Sequence, residues 1–244
     1  MPGPVKRSNR PAEPKFRRAP PEARREELIT ATLACLRKYG HAGASVRRIS
    51  AEAGLSMGLI NHHFKGIDGL LAAAFEELAQ RLLATSRDAA LATNAEPHSC
   101  LHAFFAASFT PEALDPSIFR IWIVFWSLVP HARTIRAVRE RAARATRTLL
   151  ETLLSRLQSV PGAPAFRIGP AALALSALMD GLWVELSLDP SSEAAAHAVQ
   201  LCDDWVHALT VGAFPTLREQ KRAAAPLPAQ CDPRHTRRAK PITE

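Results

Sequence analysis

The sequence SVRRISAEAGLSMGLINHHF, residues Ser45–Phe64, decides the fold of the N-terminal part of the chain. Its first serine begins a short apolar run at helical spacing, and Gly54 ends that run, because glycine readily adopts the left-handed conformation that closes a helix. Ser56 begins a second run, in which Ile60 and Phe64 are four residues apart and therefore share one helical face. Two short helices joined by a turn of about three residues, with a glycine in the turn, are typical of a helix-turn-helix.

Helical periodicity continues on both sides of this motif. Before it, apolar residues recur every three or four positions, and Gly40 follows as a stop. After it, Asp68 is placed to cap a long helix. The sequence therefore predicts an N-terminal three-helix unit over residues 22–82, with the helix-turn-helix at 45–64.

The rest of the chain is also predicted to be helical. Ala, Leu and Arg dominate its composition, and segments with helical periodicity alternate with proline-containing breaks. The predicted segments lie at residues 98–109, 112–129, 131–158, 168–188 and 192–212. We expect an all-α protein, in which the N-terminal unit is joined to a larger helical domain over residues 83–214.

Positive charge is concentrated at the two ends of the chain. The protein has 244 residues and a formal net charge of +8. Residues 1–25 hold eight Lys or Arg and two Glu, and residues 218–244 hold seven Lys or Arg and three acidic residues. Proline is frequent in both regions, so we predict disordered basic arms at residues 1–21 and 215–244. Such arms on a nearly neutral body favour a polyanionic partner such as DNA or RNA, with solubility alone as the alternative.

The cysteines and the apolar segments restrict the compartment. The four cysteines are far apart and form no CxxC pair, which disfavours a disulfide framework or a zinc site and fits a reducing cytoplasm. They are Cys35, Cys100, Cys202 and Cys231. The N-terminus lacks the apolar core of a signal peptide, and the most apolar stretch, Ile118–Val129, has 12 residues, too few to cross a bilayer. We expect a cytoplasmic protein without a membrane partner.

His62 and His63 are adjacent and raise the question of a metal site or of acid–base catalysis. On a helix their side chains point about 100° apart, whereas zinc needs about four convergent ligands. No other His or Cys lies at a matching spacing, and no nucleophile or glycine-rich phosphate loop accompanies the pair. We expect no metal, no cofactor and no catalytic residue. Two alternatives stay open: a helical enzyme or small-molecule carrier, and a redox sensor that uses Cys35, Cys100 or Cys202.

The second helix of the motif is expected to turn Ile60 and Phe64 inward and a mixed polar and apolar face outward. An asparagine amide pairs with adenine N6 and N7 in the major groove, and an aliphatic side chain contacts the thymine methyl group. Serine hydroxyls and free N–H groups at helix N-termini suit phosphates. His63 is expected to be semi-buried. The predicted DNA-contacting residues are Ser45, Arg47, Arg48, Ser56, Met57, Leu59, Asn61, His62 and Lys65.

These residues resemble the TetR family of bacterial transcriptional regulators. The quoted stretch, followed by GLL at Gly69–Leu71, is similar to the family pattern T/S-x-x-x-I-A-x-x-A-G-V-S-x-G-x-[LI]-Y-x-H-F, and the resemblance covers about residues 22–82. The sequence MDGLW at Met179–Trp183 is similar to the choline-responsive repressors of that family. The resemblance implies a repressor that binds a palindromic double-stranded DNA operator as a homodimer and is released by a small-molecule effector, such as a choline-like molecule.

Two positions depart from the family pattern. Asn61 replaces a tyrosine that often touches a phosphate, and Ile67 replaces the lysine that usually precedes the fourth helix. One phosphate contact is therefore expected to be missing at Ile67, which reduces the slope of log affinity against log salt concentration by about one. Lys65 supplies charge nearby, and the basic arm before Glu22 is placed to compensate in the adjacent minor groove.

The resemblance also implies a C-terminal domain that dimerises. The last two predicted helices are rich in small residues, which let helices approach closely, with large apolar residues between them. The predicted interface residues are Leu178, Leu182, Trp183, Leu201, Trp205 and Leu209. Burial of these helices against their own chain is the alternative. Two-fold symmetry would place the two recognition helices about 34–36 Å apart on a palindromic operator.

Aromatic residues cluster between positions 104 and 126 and indicate either an effector pocket or ordinary core packing. Trp122 and Trp126 share a helix face, and a Trp-lined cavity attracts a cation through cation–π interaction. Asp180 lies in a very apolar helix, where a buried carboxylate requires a partner. The predicted pocket residues are Phe105, Trp122, Trp126 and Asp180.

Overall fold

The fold is known from a computed structural model that describes residues 20–92, 96–162, 165–188 and 191–218. Within these ranges the chain is helical apart from turns and an isolated bridge, and it forms no strand, which confirms the all-α prediction. The helices are α1 Pro21–Tyr39, α2 Val46–Ala53, α3 Met57–Phe64, α4 Ile67–Ala92, α5 Pro97–Ser108, α6 Pro116–Leu128, α7 Arg133–Gln158, α8 Ile168–Leu188 and α9 Ser192–Thr210. Two short 3-10 turns lie at Gly40–Gly43 and Pro215–Leu217.

The helix-turn-helix consists of α2 and α3. Ser45 caps α2, since its side-chain oxygen accepts a hydrogen bond from the Arg48 N–H at 3.3 Å. Gly54 ends α2 in the left-handed conformation, with φ 64° and ψ 27°. Ile60 is fully buried and Phe64 is 7% exposed, both in a core shared with α1 and α4. A helix of 8 residues such as α3 is not stable alone, so this burial is what holds it.

The fourth helix belongs to both parts of the chain. The predicted boundary between residues 82 and 83 falls inside α4, which runs for 26 residues. Apolar positions continue at helical spacing as far as Ala90, and no glycine or proline ends the helix earlier. Asp68 lies in its first turn rather than before it. The start of α4 packs against α1 and α3, and α4 also packs against α5 and α7.

Two apolar cores follow from this arrangement. The first, the N-terminal core, is formed by α1, α2, α3 and the first part of α4 together with α6 and the start of α7. Phe75 and Phe125 are fully buried in it. The second, the C-terminal core, is formed by the end of α4 with α5, α7, α8 and α9. Trp183 of α8 packs against both cores, so the two are in contact through its indole ring.

The helix α8 is more apolar than the sequence indicated. It has 21 residues, and an 18-residue window within it has a mean hydropathy of 1.5, so by length and composition alone it is long and apolar enough to cross a membrane. The limit of 12 residues, taken from Ile118–Val129, missed α8 because Asp180 and Glu185 interrupt its apolar run. A core or interface helix of a soluble protein passes the same test, and 28% of this stretch is buried. The remaining apolar surface is the kind that a partner covers.

The first residues of the predicted C-terminal arm, 215–244, are folded. The Arg167 N–H donates to the Leu217 carbonyl at 2.7 Å, and Phe166 pairs with Arg218 in an isolated antiparallel bridge. The Arg218 side chain donates to the Gly212 carbonyl at 3.0 Å. The arm prediction is therefore wrong for residues 215–218, where the chain finds backbone partners. Residues 1–19 and 219–244, on which the rest of both arm predictions falls, lie outside the described residues.

Gly69 lies where the start of α4 passes the end of α3, and a Cβ atom there would overlap the Phe64 carbonyl. We expect Gly69→Ala to destabilise the protein by about 1–3 kcal/mol, because the backbone must shift to admit the methyl group. Thermal unfolding followed by circular dichroism measures the fall in Tm. Gly58 in α3 has no heavy atom within 4 Å of its Cβ position, so Gly58→Ala serves as the control and should not lower Tm. Equal Tm values for the two variants would contradict the close approach.

Candidate functional site

The mixed face of α3 is turned to solvent. Met57 is 57% exposed, whereas Leu59 is half-buried against the N-terminal core. His63 is half-buried as expected, with its ring 4.9 Å from that of His62. The other predicted DNA-contacting residues are all exposed: Ser45, Arg47, Arg48, Ser56, Asn61, His62 and Lys65. The structure thus gathers the predicted residues on the accessible side of α2 and α3, and their contact with DNA stays a prediction.

Ser56 and Arg48 differ in the contacts that their side chains make within the protein. Ser56 makes no side-chain hydrogen bond to the α3 backbone, so the first N–H groups of α3 have no cap from it. Arg48 instead donates from Nη1 to the Ala42 carbonyl at 2.7 Å, and its guanidinium lies 4.4 Å from the Tyr39 ring centroid. Arg48 therefore also fastens the 3-10 turn between α1 and α2, a role that the sequence did not reveal.

Positive charge lies at the end of α3. Lys65 follows the helix in the left-handed conformation, with φ 58° and ψ 29°, and its N–H donates to the Asn61 carbonyl at 3.1 Å. The Arg25 guanidinium of α1 lies 5.0 Å from the Phe64 ring centroid. Arg25 of α1 therefore lies beside the end of α3, close to where the family pattern has the lysine that Ile67 replaces.

A cavity of about 420 Å³ lies among α4, α5, α6, α7 and α8. This volume is within the range of ligand sites, roughly 300–1,000 Å³. Three indole rings form part of its wall, and the Trp122 ring centroid is 6.3 Å from that of Trp126 and 6.1 Å from that of Trp183. The Trp183 Nε1–H donates to the Ala113 carbonyl at 3.0 Å, which fixes the orientation of that indole. The charged side chains in the wall are Arg81, Glu112, Arg139 and Asp180.

One of the four predicted pocket residues is misplaced. Trp122, Trp126 and Asp180 line the cavity, but Phe105 is fully buried in the C-terminal core and does not. Phe104 lines the cavity in its place, because neighbouring residues of a helix point about 100° apart. Phe75 of α4 also lines it and was missed, since sequence distance separates it from the aromatic cluster.

The predicted dimer-interface residues lie in three different environments. Leu201 is 50% exposed, and Leu178, Leu182 and Trp205 are half-buried. Trp183 lines the cavity, on the same face of α8 as Asp180 three residues earlier. Leu209 is 2% exposed and packs in the core of its own chain, so its side chain is not available to a partner. The large exposed apolar residues of α8 and α9 are Leu173, Leu188 and Leu201.

The cysteines are poorly placed for redox sensing. Cys35, Cys100 and Cys202 are all buried. Burial raises the pKa of Cys35, and burial with the charge of Asp203 raises the pKa of Cys202 to about 12. The thiolate is the reactive form, so both effects oppose oxidation. Among the described residues, no group of three or more His, Cys, Asp or Glu side chains is arranged to hold a metal ion.

Asp180 is accessible from the cavity and yet poorly solvated. Its exposed surface lines the cavity, whose protein walls replace much of the surrounding bulk water. Burial therefore raises the pKa of Asp180, and the positive charge of Arg139 lowers it by a smaller amount. Neither side chain forms a hydrogen bond or a close ion pair with any other described residue. Asp180 thus lacks the direct partner that the sequence led us to expect.

We predict that Asp180→Asn stabilises the protein at neutral pH. A carboxyl group with a raised pKa in the folded state disfavours folding once it ionises, so wild-type stability falls as pH rises from about 3.8 through the folded-state pKa. The amide does not ionise. Thermal unfolding at a series of pH values should show a higher Tm for Asp180→Asn at pH 7.5, with the difference shrinking toward pH 4. A variant less stable than wild type at pH 7.5 would reveal a stabilising partner for the carboxylate.

Both parts of the chain match known protein families. Residues 28–74 match the bacterial regulatory proteins of the tetR family, and residues 97–211 match the C-terminal domain of BetI-type transcriptional repressors. The HTH-type transcriptional regulator BetI of Paraburkholderia phymatum is 32% identical over 191 residues, a match that covers 77% of this chain and 93% of the relative. BetI of Burkholderia thailandensis is 32% identical over 189 residues, covering 77% of this chain and 94% of the relative.

Solved structures share the fold. A transcriptional regulator from Pseudomonas aeruginosa PAO1 is 41% identical with a TM-score of 0.76, covering 84% of this chain and 99% of that one. A transcriptional regulator from Saccharomonospora viridis in complex with choline has a TM-score of 0.63 at 19% identity, covering 76% and 96% of the two chains, and shows the fold alone. With an exposed helix-turn-helix at one end and a BetI-type helical domain at the other, the chain belongs to the TetR family of DNA-binding transcriptional regulators and is not an enzyme.

Proposed function

We propose that the protein represses transcription as a cytoplasmic homodimer that places α3 of each protomer in the major groove of a palindromic operator. A small organic effector in the cavity releases it from DNA. The observation that carries the proposal is the exposed face of α3 from Met57 to His62, braced from behind by buried Ile60 and Phe64. A helical small-molecule-binding protein without DNA binding is the second candidate, and the operator experiment below separates the two.

Base contacts and phosphate contacts come from different residues in this proposal. Asn61 is exposed near the middle of the outward face, where its amide is free to pair with an adenine edge. Met57 and Leu59 supply apolar surface for a thymine methyl group. The phosphates are contacted from the helix ends, by Ser56 before α3 and by Lys65 after it, which orients the protein without reading sequence.

The exposed apolar surface of α8 and α9 supports a two-fold dimer. Leu173, Leu188 and Leu201 are 52%, 65% and 50% exposed, and a partner's helices packed on α8 and α9 would cover them. Half-buried Leu178, Leu182 and Trp205 complete the proposed interface, and Trp183 and Leu209 are excluded from it. One recognition helix contacts only a few base pairs, so two-fold partners about 34–36 Å apart supply the specificity.

The cavity communicates with the helix-turn-helix through packed side chains. The Phe75 ring of α4 stacks on Phe125 at 4.5 Å and meets Trp122 edge-on at 4.8 Å, and both Phe75 and Trp122 line the cavity. Arg120 of α6 donates from Nη1 to the Arg37 carbonyl at the end of α1, at 2.7 Å. A ligand that displaces Trp122 therefore pushes on α4 and α6 together. A difference in affinity of about 1–3 kcal/mol between two arrangements is enough to couple the sites.

The wall of the cavity favours an effector with a cationic group, as a choline-like molecule has. Indole faces attract cations with about 0.5–2 kcal/mol, and the Asp180 carboxylate lies in the same wall. The fold relative from Saccharomonospora viridis was solved in complex with choline. Three tryptophans and one carboxylate thus support recognition of positive charge.

The operator test starts from random DNA, so that the binding site need not be known. Selection with the full-length protein should enrich an inverted repeat, and footprinting should show one continuous protected site. Asn61→Ala should reduce the preference for that site over scrambled DNA, by about 1–3 kcal/mol at the contacted base pair. Lys65→Ala should weaken binding to both DNAs alike and reduce the slope of log affinity against log salt concentration by about one. Equal losses of Asn61→Ala on both DNAs would refute its role, and failure to enrich any repeat would refute the proposed function.

The dimer is tested by Leu201→Glu. A buried, unpaired carboxylate in the interface is costly, so we expect this variant to run as a monomer in light scattering after gel filtration, with unchanged helicity. Leu91 of α4 is also 50% exposed and lies away from α8 and α9 in sequence, so Leu91→Glu is the matched control and should stay dimeric. If Leu201→Glu dimerises as tightly as wild type, the interface lies elsewhere.

A further inference from the structure

The cavity contains a basic and an acidic side chain that do not pair. Arg139 on α7 and Asp180 on α8 both line it, on two neighbouring helices. The charge of Arg139 is felt at Asp180, yet the two groups form no close ion pair, and neither is bonded to another described residue. The cavity wall therefore carries an exposed guanidinium and an exposed carboxylate that are not paired with each other.

The other charged side chains of the wall are differently placed. Arg81 pairs with Glu77 of the same helix at 3.4 Å, so its charge is already partly balanced. Glu112 contributes to the wall from the turn between α5 and α6 rather than from a helix. Arg139 and Asp180 are thus the two charges that α7 and α8 offer to a molecule in the chamber.

A ligand with a single charge leaves one of these two side chains without a partner. A cation gains from the indole faces and from Asp180, but the positive charge of the nearby Arg139 guanidinium, which is exposed, repels it. An anion gains from Arg139, but Asp180 and the negative faces of the indoles repel it. A molecule that carries both charges pairs with both side chains at once, which a molecule with one charge does not.

We propose that the effector is a zwitterion, with an ammonium group beside Asp180 and the tryptophans and a carboxylate beside Arg139. Betaines and ω-amino acids are the chemical class. The raised pKa of Asp180 agrees with this assignment, because a carboxylate that lacks water and a direct partner is stabilised when an ammonium group enters. The guanidinium fork of Arg139 suits a carboxylate in the same way. The inference rests on the proposed function only in taking the cavity as the effector site.

The test is isothermal titration calorimetry of the full-length protein with three probes of one shape. They are 4-(trimethylammonio)butanoate, its methyl ester, which keeps only the cation, and 5,5-dimethylhexanoate, which keeps only the anion. A series of trimethylammonio carboxylates of increasing chain length, from glycine betaine to the hexanoate, shows which distance between the two charges gives the highest affinity. We expect the best zwitterion to bind about tenfold or more tightly than its ester and its carbon analogue. Choline or the ester binding as tightly as every zwitterion would overturn the proposal.

Two charge-removing variants give opposite patterns. Asp180→Asn should lower the affinity for the zwitterion about tenfold and leave the affinity for the carbon analogue unchanged or higher. Arg139→Gln should also lower the affinity for the zwitterion about tenfold, but it should leave the affinity for the ester unchanged or higher. Arg144→Gln, at an exposed arginine of α7 that does not line the cavity, is the control and should change none of the affinities. Equal effects of Asp180→Asn and Arg139→Gln on all three probes would overturn the assignment. The wild-type probe comparison stands if a variant fails to fold.

Failure of this inference is distinguishable from failure of the proposed function. A protein that selects an inverted repeat but binds no zwitterion better than the single-charge probes keeps its function and loses this ligand class. A protein that binds the zwitterion but selects no DNA keeps the ligand class and loses the repressor role. Release of the selected operator by the zwitterion, and by neither single-charge probe, supports both.

Discussion

The packing of Ile60 and Phe64 behind α3 is the contact on which the DNA-binding end of the molecule depends. Eight residues do not make a stable isolated helix, so the stability of α3 comes from apolar side chains that reach the core, each contributing about 1.5–3 kcal/mol. Gly54 and Lys65, both in the left-handed conformation, end α2 and α3 within a few residues of these anchors. The outward side chains therefore have fixed spacing because the inward ones cannot move, and recognition of DNA derives from burial on the opposite side of the same helix.

The same core extends beyond the helix-turn-helix. Phe75 of α4 and Phe125 of α6 stack within it, and Trp122 continues the aromatic contact into the cavity wall. The boundary between reading DNA and sensing a ligand is for this reason not a linker but a packed interface. Close-packed interiors transmit displacement rather than absorb it, and a ligand against Trp122 meets the helix that supports α3. The hydrogen bond from Arg120 to the end of α1 provides a second, polar connection between the two parts.

The sequence was most informative where structure is local. Caps, a glycine in the turn and a four-residue apolar spacing are sufficient to define α2 and α3, and these follow from neighbouring residues alone. Phe104 and Phe105 show the limit, because two adjacent aromatic residues on a helix are assigned to core or cavity only by how the helix is rotated against its neighbours. Trp183 and Leu209 show the same limit, since Trp183 lines the cavity and Leu209 packs in the core of its own chain. The predicted boundary at residue 82 followed the extent of the family resemblance, whereas nothing in the sequence ends α4 there. The apolar length of α8 was missed because two acidic residues interrupt it.

The unbroken course of α4 has a mechanical consequence. At 1.5 Å per residue its 26 residues form a rod about 39 Å long, with α3 packed beside its start and the cavity along its middle, at residues 75–86. A tilt of about ten degrees around the cavity displaces the start of α4, roughly 20 Å away, by roughly 3.5 Å, which is close to the rise of one base pair. In a two-fold symmetric dimer, the two α3 helices would move in opposite directions. A small change in the angle of α4 would therefore move one half-site contact out of register with the other.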